Sequence, residues 1–265
     1  GNKWTENKFD NWNKEIDDLP LPNRKKIKNN LYFRPDTGEP QATIATSRGC
    51  PSACVYCLTP TISGKKTRFR SPKSIIHELE DCYFNHGIKN FFFKSDTFTI
   101  NHSWVKDVCE NINSSKLKNK IEWVANSRVR PLHKDTPKIM KDAGCWLIAF
   151  GFETGSEETM KKIKKGATVQ ENLKAAEIVK NAGIKVYGFF LAGLPWENKT
   201  HLDETEKHIF KINSDFIELH LAVPYYGTEL YDIAKNEGLL KVPVIGQNYF
   251  EEATTGTKFL SSKQL

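Results

Sequence analysis

No apolar run in these 265 residues approaches the ~18 needed to cross a bilayer. The first twenty, rich in Asn, Lys, Asp and Trp, lack the apolar stretch of a signal peptide. A membrane span is therefore not expected, and the default compartment is the cytoplasm. Cysteine is sparse: six residues, at 50, 54, 57, 82, 109 and 145, which in a cytosolic chain of this size do not read as a disulfide framework. The seven histidines show no paired metal-ligand spacing. Charge of one sign is lacking too. The 39 basic and 32 acidic residues are spread along the chain to a net +7, which permits an anionic partner without requiring one. The basic stretches Lys65 to Lys73 and Lys161 to Lys165 merge into a lysine-rich background, and a nucleic-acid partner is not expected.

What is present is enough to bury a core: 38% hydrophobic and 11% aromatic residues beside 27% charged. Residues 1–40 read as an irregular linker or lead-in, polar and carrying Leu19-Pro20-Leu21-Pro22. From Thr43 onward strand-like runs alternate with helical patterns, which argues for parallel βα units. Strands are expected at 42–46, 89–93, 121–125, 146–150, 185–191 and 216–221. The helices between them carry their own start and stop signals. Ser71-Pro72 is an N-cap with first-turn proline, Thr168 with Glu171 a capping box, and Gly87, Gly144, Gly183 and Gly238 are terminators. Six βα units over 41–240 predict a partial (β/α)6 TIM-like barrel, with 241–265 as a C-terminal extension. Cys82, Cys109 and Cys145 fall on helical faces or at a helix–strand junction and read as small core residues.

The remaining three cysteines lie within eight residues, Cys50-Pro51-Ser52-Ala53-Cys54-Val55-Tyr56-Cys57, directly after the first strand, where barrel enzymes place their chemistry. Three clustered thiolates can ligate three irons of a cubane and leave the fourth open. A structural zinc site is the alternative, but zinc wants four ligands, and the nearest candidates, His77 and Cys82, lie in the following helix.

The spacing C-x3-C-x2-C, with Thr46-Ser47-Arg48-Gly49 before it and an aromatic, Tyr56, ahead of the last cysteine, resembles the radical S-adenosylmethionine superfamily. Phe69-Arg70-Ser71-Pro72, Asp96-Thr97-Phe98-Thr99, Gly151-Phe152-Glu153-Thr154-Gly155-Ser156, Gly193-Leu194-Pro195-Trp196-Glu197 and Pro224-Tyr225-Tyr226-Gly227-Thr228-Glu229 resemble the subgroup whose members usually carry an N-terminal cobalamin-binding domain. The likeness spans roughly residues 17 to 240 in register. It implies a [4Fe–4S] cluster on Cys50, Cys54 and Cys57, its open iron chelated by S-adenosylmethionine, which the reduced cluster splits to a 5′-deoxyadenosyl radical. Ser95, Asp96 and Thr97 occupy the place of the methionine-amine motif, although the usual Gly-Gly-Glu is absent. Ser127, Arg128 and Arg130 are candidates for the methionine carboxylate, an arginine fork suiting that group, with a structural acid as an equal alternative for Arg130. By the same resemblance Glu153 receives the ribose hydroxyls, and Gly188, Leu191 and Gly193 flank the adenine, with Tyr56 adding to that pocket.

The subgroup resemblance further implies methyl transfer or cyclisation of a small-molecule or natural-product substrate, with a reductant such as flavodoxin or ferredoxin. No Asp-x-His-x-x-Gly motif occurs in the 265 residues, so a cobalamin domain is expected upstream of Gly1 if there is one. A methylthiotransferase acting on RNA or protein is the alternative enzyme, and a non-catalytic zinc or iron–sulfur module the alternative of another class.

Overall fold

The elements begin and end where local chemistry dictates. The computed structural model describes residues 12–13, 15–240, 253 and 255–265. In chain order the strands are β1 (Gln41–Ala45), β2 (Ser47–Arg48), β3 (Arg68–Phe69), β4 (Asn90–Lys94), β5 (Glu122–Ser127), β6 (Cys145–Glu153), β7 (Lys185–Ala192) and β8 (Phe216–Leu221). The helices are α1 (Thr59–Ile62), α2 (Pro72–His86), α3 (His102–Ser114), α4 (Thr136–Asp142), α5 (Glu157–Lys162), α6 (Val169–Asn181), α7 (Lys199–Ile212) and α8 (Glu229–Asn236). Ser71 caps α2 by accepting from the Ser74 N–H, and Gly87 closes it in the left-handed region at φ 68°. Thr168 and Glu171 form the expected capping box of α6. Asn198 and His201 form a second one on α7, with histidine where Glu or Gln is usual.

Six strands form one parallel sheet in the order β1-β4-β5-β6-β7-β8. The six expected βα units are thus present, as an open partial barrel whose described edges are β1 and β8. Register partners in a parallel sheet point to the same face. One face carries Ile44, Phe93, Trp123, Ile148, Phe150, Val186 and Phe190 into the packed layer beneath α2, α3, α4 and α6. There Phe93 stacks on Trp123 at 4.4 Å, and Phe98 meets Trp104 edge-on at 5.2 Å. Each such ring contributes about 2–3 kcal/mol by burial. The opposite face lines the barrel interior.

Among the described residues, the segment before β1 is irregular but not loose. Three 3-10 turns, Ile16–Asp18, Arg24–Lys26 and Asn29–Leu31, run along the β1 side. Arg24 donates to Glu78 of α2 at 2.8 Å, and Arg70 donates to the other oxygen at 2.5 Å. Arg34 stops the N-terminal end of the barrel: it bonds Asn90 at 2.8 Å and Glu122 at 2.6 Å, the first residues of β4 and β5, and lies over the Trp146 ring at 4.3 Å. The expected 241–265 extension falls largely outside the described residues. Its tail returns to the core through a bridge between Leu240 and Thr255 and a bond from the Lys258 N–H to the Pro195 carbonyl at 2.9 Å.

Candidate active site

All six main strands run the same way, so the segments after β1, β4, β5, β6 and β7 gather at one end, where βα-loops build sites in barrel folds. The cysteine loop leaves β1 through the short β2. Gly49, at φ 90°, is required here, because a Cβ would lie 2.3 Å from the Lys66 carbonyl oxygen. Its N–H donates to Asp96 Oδ2 at 2.7 Å, and Thr59 Oγ1 donates to Oδ1 at 3.4 Å. Asp96 therefore clamps both flanks of the loop. Cys50, Cys54 and Cys57 are free thiols, the first two buried, and all three line one cavity with Asp96, Thr97, Arg128 and Glu153.

The cavity is rich in charge. Arg128 donates from Nη1 to Cys54 Sγ at 3.3 Å and from Nη2 to the Lys165 carbonyl. Burial opposes its charge, but negative charge on the sulfurs of Cys54 and Cys50, with the hydrogen bond to Cys54, outweighs that and raises its pKa. The Thr59 N–H points at Cys57 Sγ from 3.4 Å. Glu153 ends β6 past a register shift, in the left-handed region at φ 65°, a costly conformation for a residue with a side chain. Lys165 reaches it at 2.5 Å and Tyr56 Oη at 3.2 Å, and the Lys165 and Glu153 side chains are 7% and 8% exposed. Gly151 makes room for this pair: a Cβ there would meet Glu153 Oε1 at 2.2 Å and Lys165 Nζ at 2.8 Å. Burial, with the Glu153 charge second, holds the Tyr56 phenol well above its usual pKa, so it stays protonated.

Of the remaining expected site residues, Thr97 and Ser127 line the cavity. Ser95 turns away to bond Ser47 Oγ at 2.5 Å. Arg130 is exposed and faces Glu171 at 3.5 Å. Gly188 pairs with Phe150 and faces the packed layer, where a Cβ would meet Phe190 and Ser214 at 2.9 Å. Leu191 points to the interior, beside His220 in register. Gly193, at φ 84°, begins the loop that leads to α7, under Leu265. In that loop Glu197 is fully buried: Oε2 accepts from the Leu194 N–H at 3.0 Å, Oε1 has no partner among the described residues, and burial raises its pKa. Sequence reasoning missed Lys165, because it closes a run containing Lys161, Lys162 and Lys164 and nothing in the run marks it out.

The Radical SAM superfamily description matches residues 44–209, spanning the cysteine loop, Asp96, Arg128, Glu153 and the Gly193–Glu197 segment. The chain belongs to the radical SAM superfamily. Membership in the radical SAM superfamily implies a [4Fe–4S] cluster and S-adenosylmethionine. An uncharacterized methyltransferase of Pyrococcus horikoshii is 34% identical over 225 residues, 85% of this chain and 48% of that protein. An anaerobic magnesium-protoporphyrin IX monomethyl ester cyclase of Cereibacter sphaeroides is 28% identical over 193 residues, 72% of this chain and 31% of that protein. The chain thus spans about half or less of these relatives' length. Among solved structures, the radical S-adenosylmethionine methyltransferase TsrM from Kitasatospora setae, with cobalamin and a [4Fe–4S] cluster bound, superposes with a TM-score of 0.69 at 16% identity. That match covers 78% of this chain and 41% of TsrM, and it shows the shared fold.

The donors fit a cubane better than one ion. Three sulfurs around a single tetrahedral zinc would sit about 3.8 Å apart, given Zn–S of about 2.3 Å. Among the described residues the one group of three or more potential ligands whose atoms all lie within 4.8 Å is His102, His133 and Asp135, on the surface. The three cysteine sulfurs form no such group and so are more widely set, as the ligands of a cubane are. No described helix is long and apolar enough to cross a membrane.

Proposed function

We propose that this radical SAM barrel draws a hydrogen atom from a small-molecule substrate in a methyl transfer or a cyclisation, with cobalamin held by sequence outside these 265 residues. One observation carries the reading: three free thiols, the buried Lys165, the half-buried Arg128 and the carboxylates of Asp96 and Glu153 converge on a single cavity at the C-terminal ends of the strands. The relatives' methyltransferase and cyclase activities, and the cobalamin in TsrM, support the reaction class. Cys50, Cys54 and Cys57 would hold the [4Fe–4S] cluster, which would supply the electron for reductive cleavage of S-adenosylmethionine, with a flavodoxin or ferredoxin as its reductant.

The chain's own residues bind, orient and shield. Asp96 stands ready for the methionine ammonium while it keeps the cysteine loop in place, and Arg128 offers a planar fork to the carboxylate. Glu153 accepts from the ribose hydroxyls. Until they arrive, Lys165 neutralises it, which removes the penalty of an unpaired buried charge. Tyr56 and Phe189 wall the cavity against water.

Anaerobic reconstitution tests the first step: wild-type protein is expected to take up about four irons and four sulfides per chain. Cys50→Ala, Cys54→Ala or Cys57→Ala should each abolish uptake, whereas Cys82→Ala, Cys109→Ala and Cys145→Ala should preserve it. Stoichiometric zinc in place of iron, or failure of the reduced protein to convert S-adenosylmethionine to methionine and 5′-deoxyadenosine, overturns the proposal.

A further inference from the structure

The cavity wall does not stop at the cluster. Across the interior face the register runs from Ala149 to Tyr187 to Phe216 in one row, and from Gly151 to Phe189 to Glu218 in the next. Ala149, Gly151 and Phe189 line the cysteine cavity, so Tyr187, Glu218 and, two residues on, His220 continue the same wall over β7 and β8. Tyr187 and His220 meet that cavity through the Phe189 ring, and the three side chains are organised around one another.

Tyr187 Oη donates to Glu218 Oε2 at 2.9 Å, and His220 Nε2 lies 3.1 Å from Oε1. Partial burial and the Glu218 hydrogen bond raise the Tyr187 pKa, so the phenol stays a donor. Rings flank the carboxylate: Tyr187 meets Phe189 at 4.9 Å and stacks on Phe216 at 5.8 Å and 22°, and Phe189 meets His220 at 5.9 Å. Lys185 covers the Phe216 ring at 5.6 Å, closing the row with a cation on its N-terminal side. The Glu218 side chain is 43% exposed and that of His220 37%. A carboxylate held by the Tyr187 hydroxyl, with His220 beside it, still open and bordered by flat rings, has lone pairs for a further charged donor and aromatic faces for a ring. The cations of the cavity, Arg128 and Lys165, lie on the other side, around Cys54 and Glu153. There they are matched by the carboxylates of Glu153 and Asp96, whereas on β8 the acid is Glu218 with His220 beside it.

We infer that Glu218, positioned by Tyr187 and His220, is the recognition point for the reacting substrate, and that this substrate carries a protonated amine on a flat ring. The ammonium meets Glu218 and the ring lies along Tyr187, Phe189 and Phe216, which brings its far edge toward the cysteine cavity through Phe189. Identification of that cavity as the reacting centre rests on the proposed function; recognition of the amine does not.

Equilibrium dialysis of the cluster-loaded full chain against 1-naphthylmethylamine and 1-naphthylacetate, one ring system with opposite charges, tests the inference. Wild-type protein is expected to hold the amine about tenfold or more tighter than the acid, the scale of one hydrogen bond to a charged group. Glu218→Gln should remove that discrimination, and Tyr187→Phe, which loses a positioning donor only, should weaken amine binding about threefold and keep its preference. Iron content matched between samples guards against a folding defect. Equal binding of both probes by wild type, or discrimination retained in Glu218→Gln, overturns the inference. Wild-type protein that binds the amine but not S-adenosylmethionine would instead overturn the proposed function alone.

Discussion

Two buried carboxylates among the described residues are paired with cations, and they are built differently. Glu78, on α2 beside β1, has a side chain 3% exposed and two arginines, Arg24 at 2.8 Å and Arg70 at 2.5 Å, one on each oxygen. Arg24 also donates to the Thr43 carbonyl at 3.1 Å and Arg70 to the Ala45 carbonyl at 3.1 Å, both on β1. Glu153, at the cavity, has one lysine on one oxygen, a strained backbone and an open side. The first arrangement closes on itself and ties the lead-in to the barrel. The second is held by a flexible point charge that can move aside, as a ligand site requires. Burial and charge alone do not separate structure from function; the number and rigidity of the partners do.

The comparison is broken most severely at Glu78. Glu78→Ala leaves two buried guanidinium groups facing each other, and the expected loss is about 3–5 kcal/mol, read by urea unfolding of the apo chain. A loss under ~1 kcal/mol would place Glu78 with the surface pairs. Glu153→Gln should spare the cluster, cost less stability than Glu78→Ala because one buried cation rather than two loses its counter-charge and the amide still accepts from Lys165, and weaken S-adenosylmethionine binding about tenfold, the worth of hydrogen bonds to a charged group. Unchanged affinity at equal iron content would remove Glu153 from the ribose site.

Glu197 sharpens the contrast, as a buried carboxylate with no ion-pair partner among the described residues. Burial raises its folded pKa, so between the unfolded and folded values the folded chain binds the extra proton. Stability is then greatest below the unfolded pKa and falls as pH rises through the folded one. Glu197→Gln should flatten that fall, its advantage over wild type growing in denaturation midpoints as pH rises above the ordinary carboxylate range. Parallel pH profiles would mean that the carboxyl ionises freely in the fold. This is the smallest of the three effects.

Much of this was legible because it is local. Ser71-Pro72, Gly87 and the Thr168–Glu171 box fixed helix ends within a residue. The three cysteines share a loop, so spacing alone showed them together. The strand β6, expected at 146–150, runs to Glu153, because the glycine at 151 marked a motif while the ladder continued through it. What stayed hidden depends on register or distance. Gly188 and Leu191 are three residues apart on one strand and face opposite ways, which only the pairing with β6 and β8 reveals. Lys165 meets Glu153 across α5, and the two-residue β2–β3 pair is too short for any alternation to show. His102 and His133, without ligand spacing in the chain, stack at 4.3 Å once α3 and the segment before α4 come together.

Gly151 contributes no ligand atom, yet the mouth of the barrel is exposed through it to the mildest of substitutions. A methyl group on that strand would claim the volume now shared by the Glu153 carboxylate and the Lys165 ammonium. Gly151→Ala would therefore push both tips aside at once while every cysteine, arginine and aspartate of the site stayed in place. A descendant of this chain could keep the whole motif set and still hold its carboxylate in another position, so a tally of ligand residues would score it intact. The presence or absence of one carbon under the ion pair would tell more.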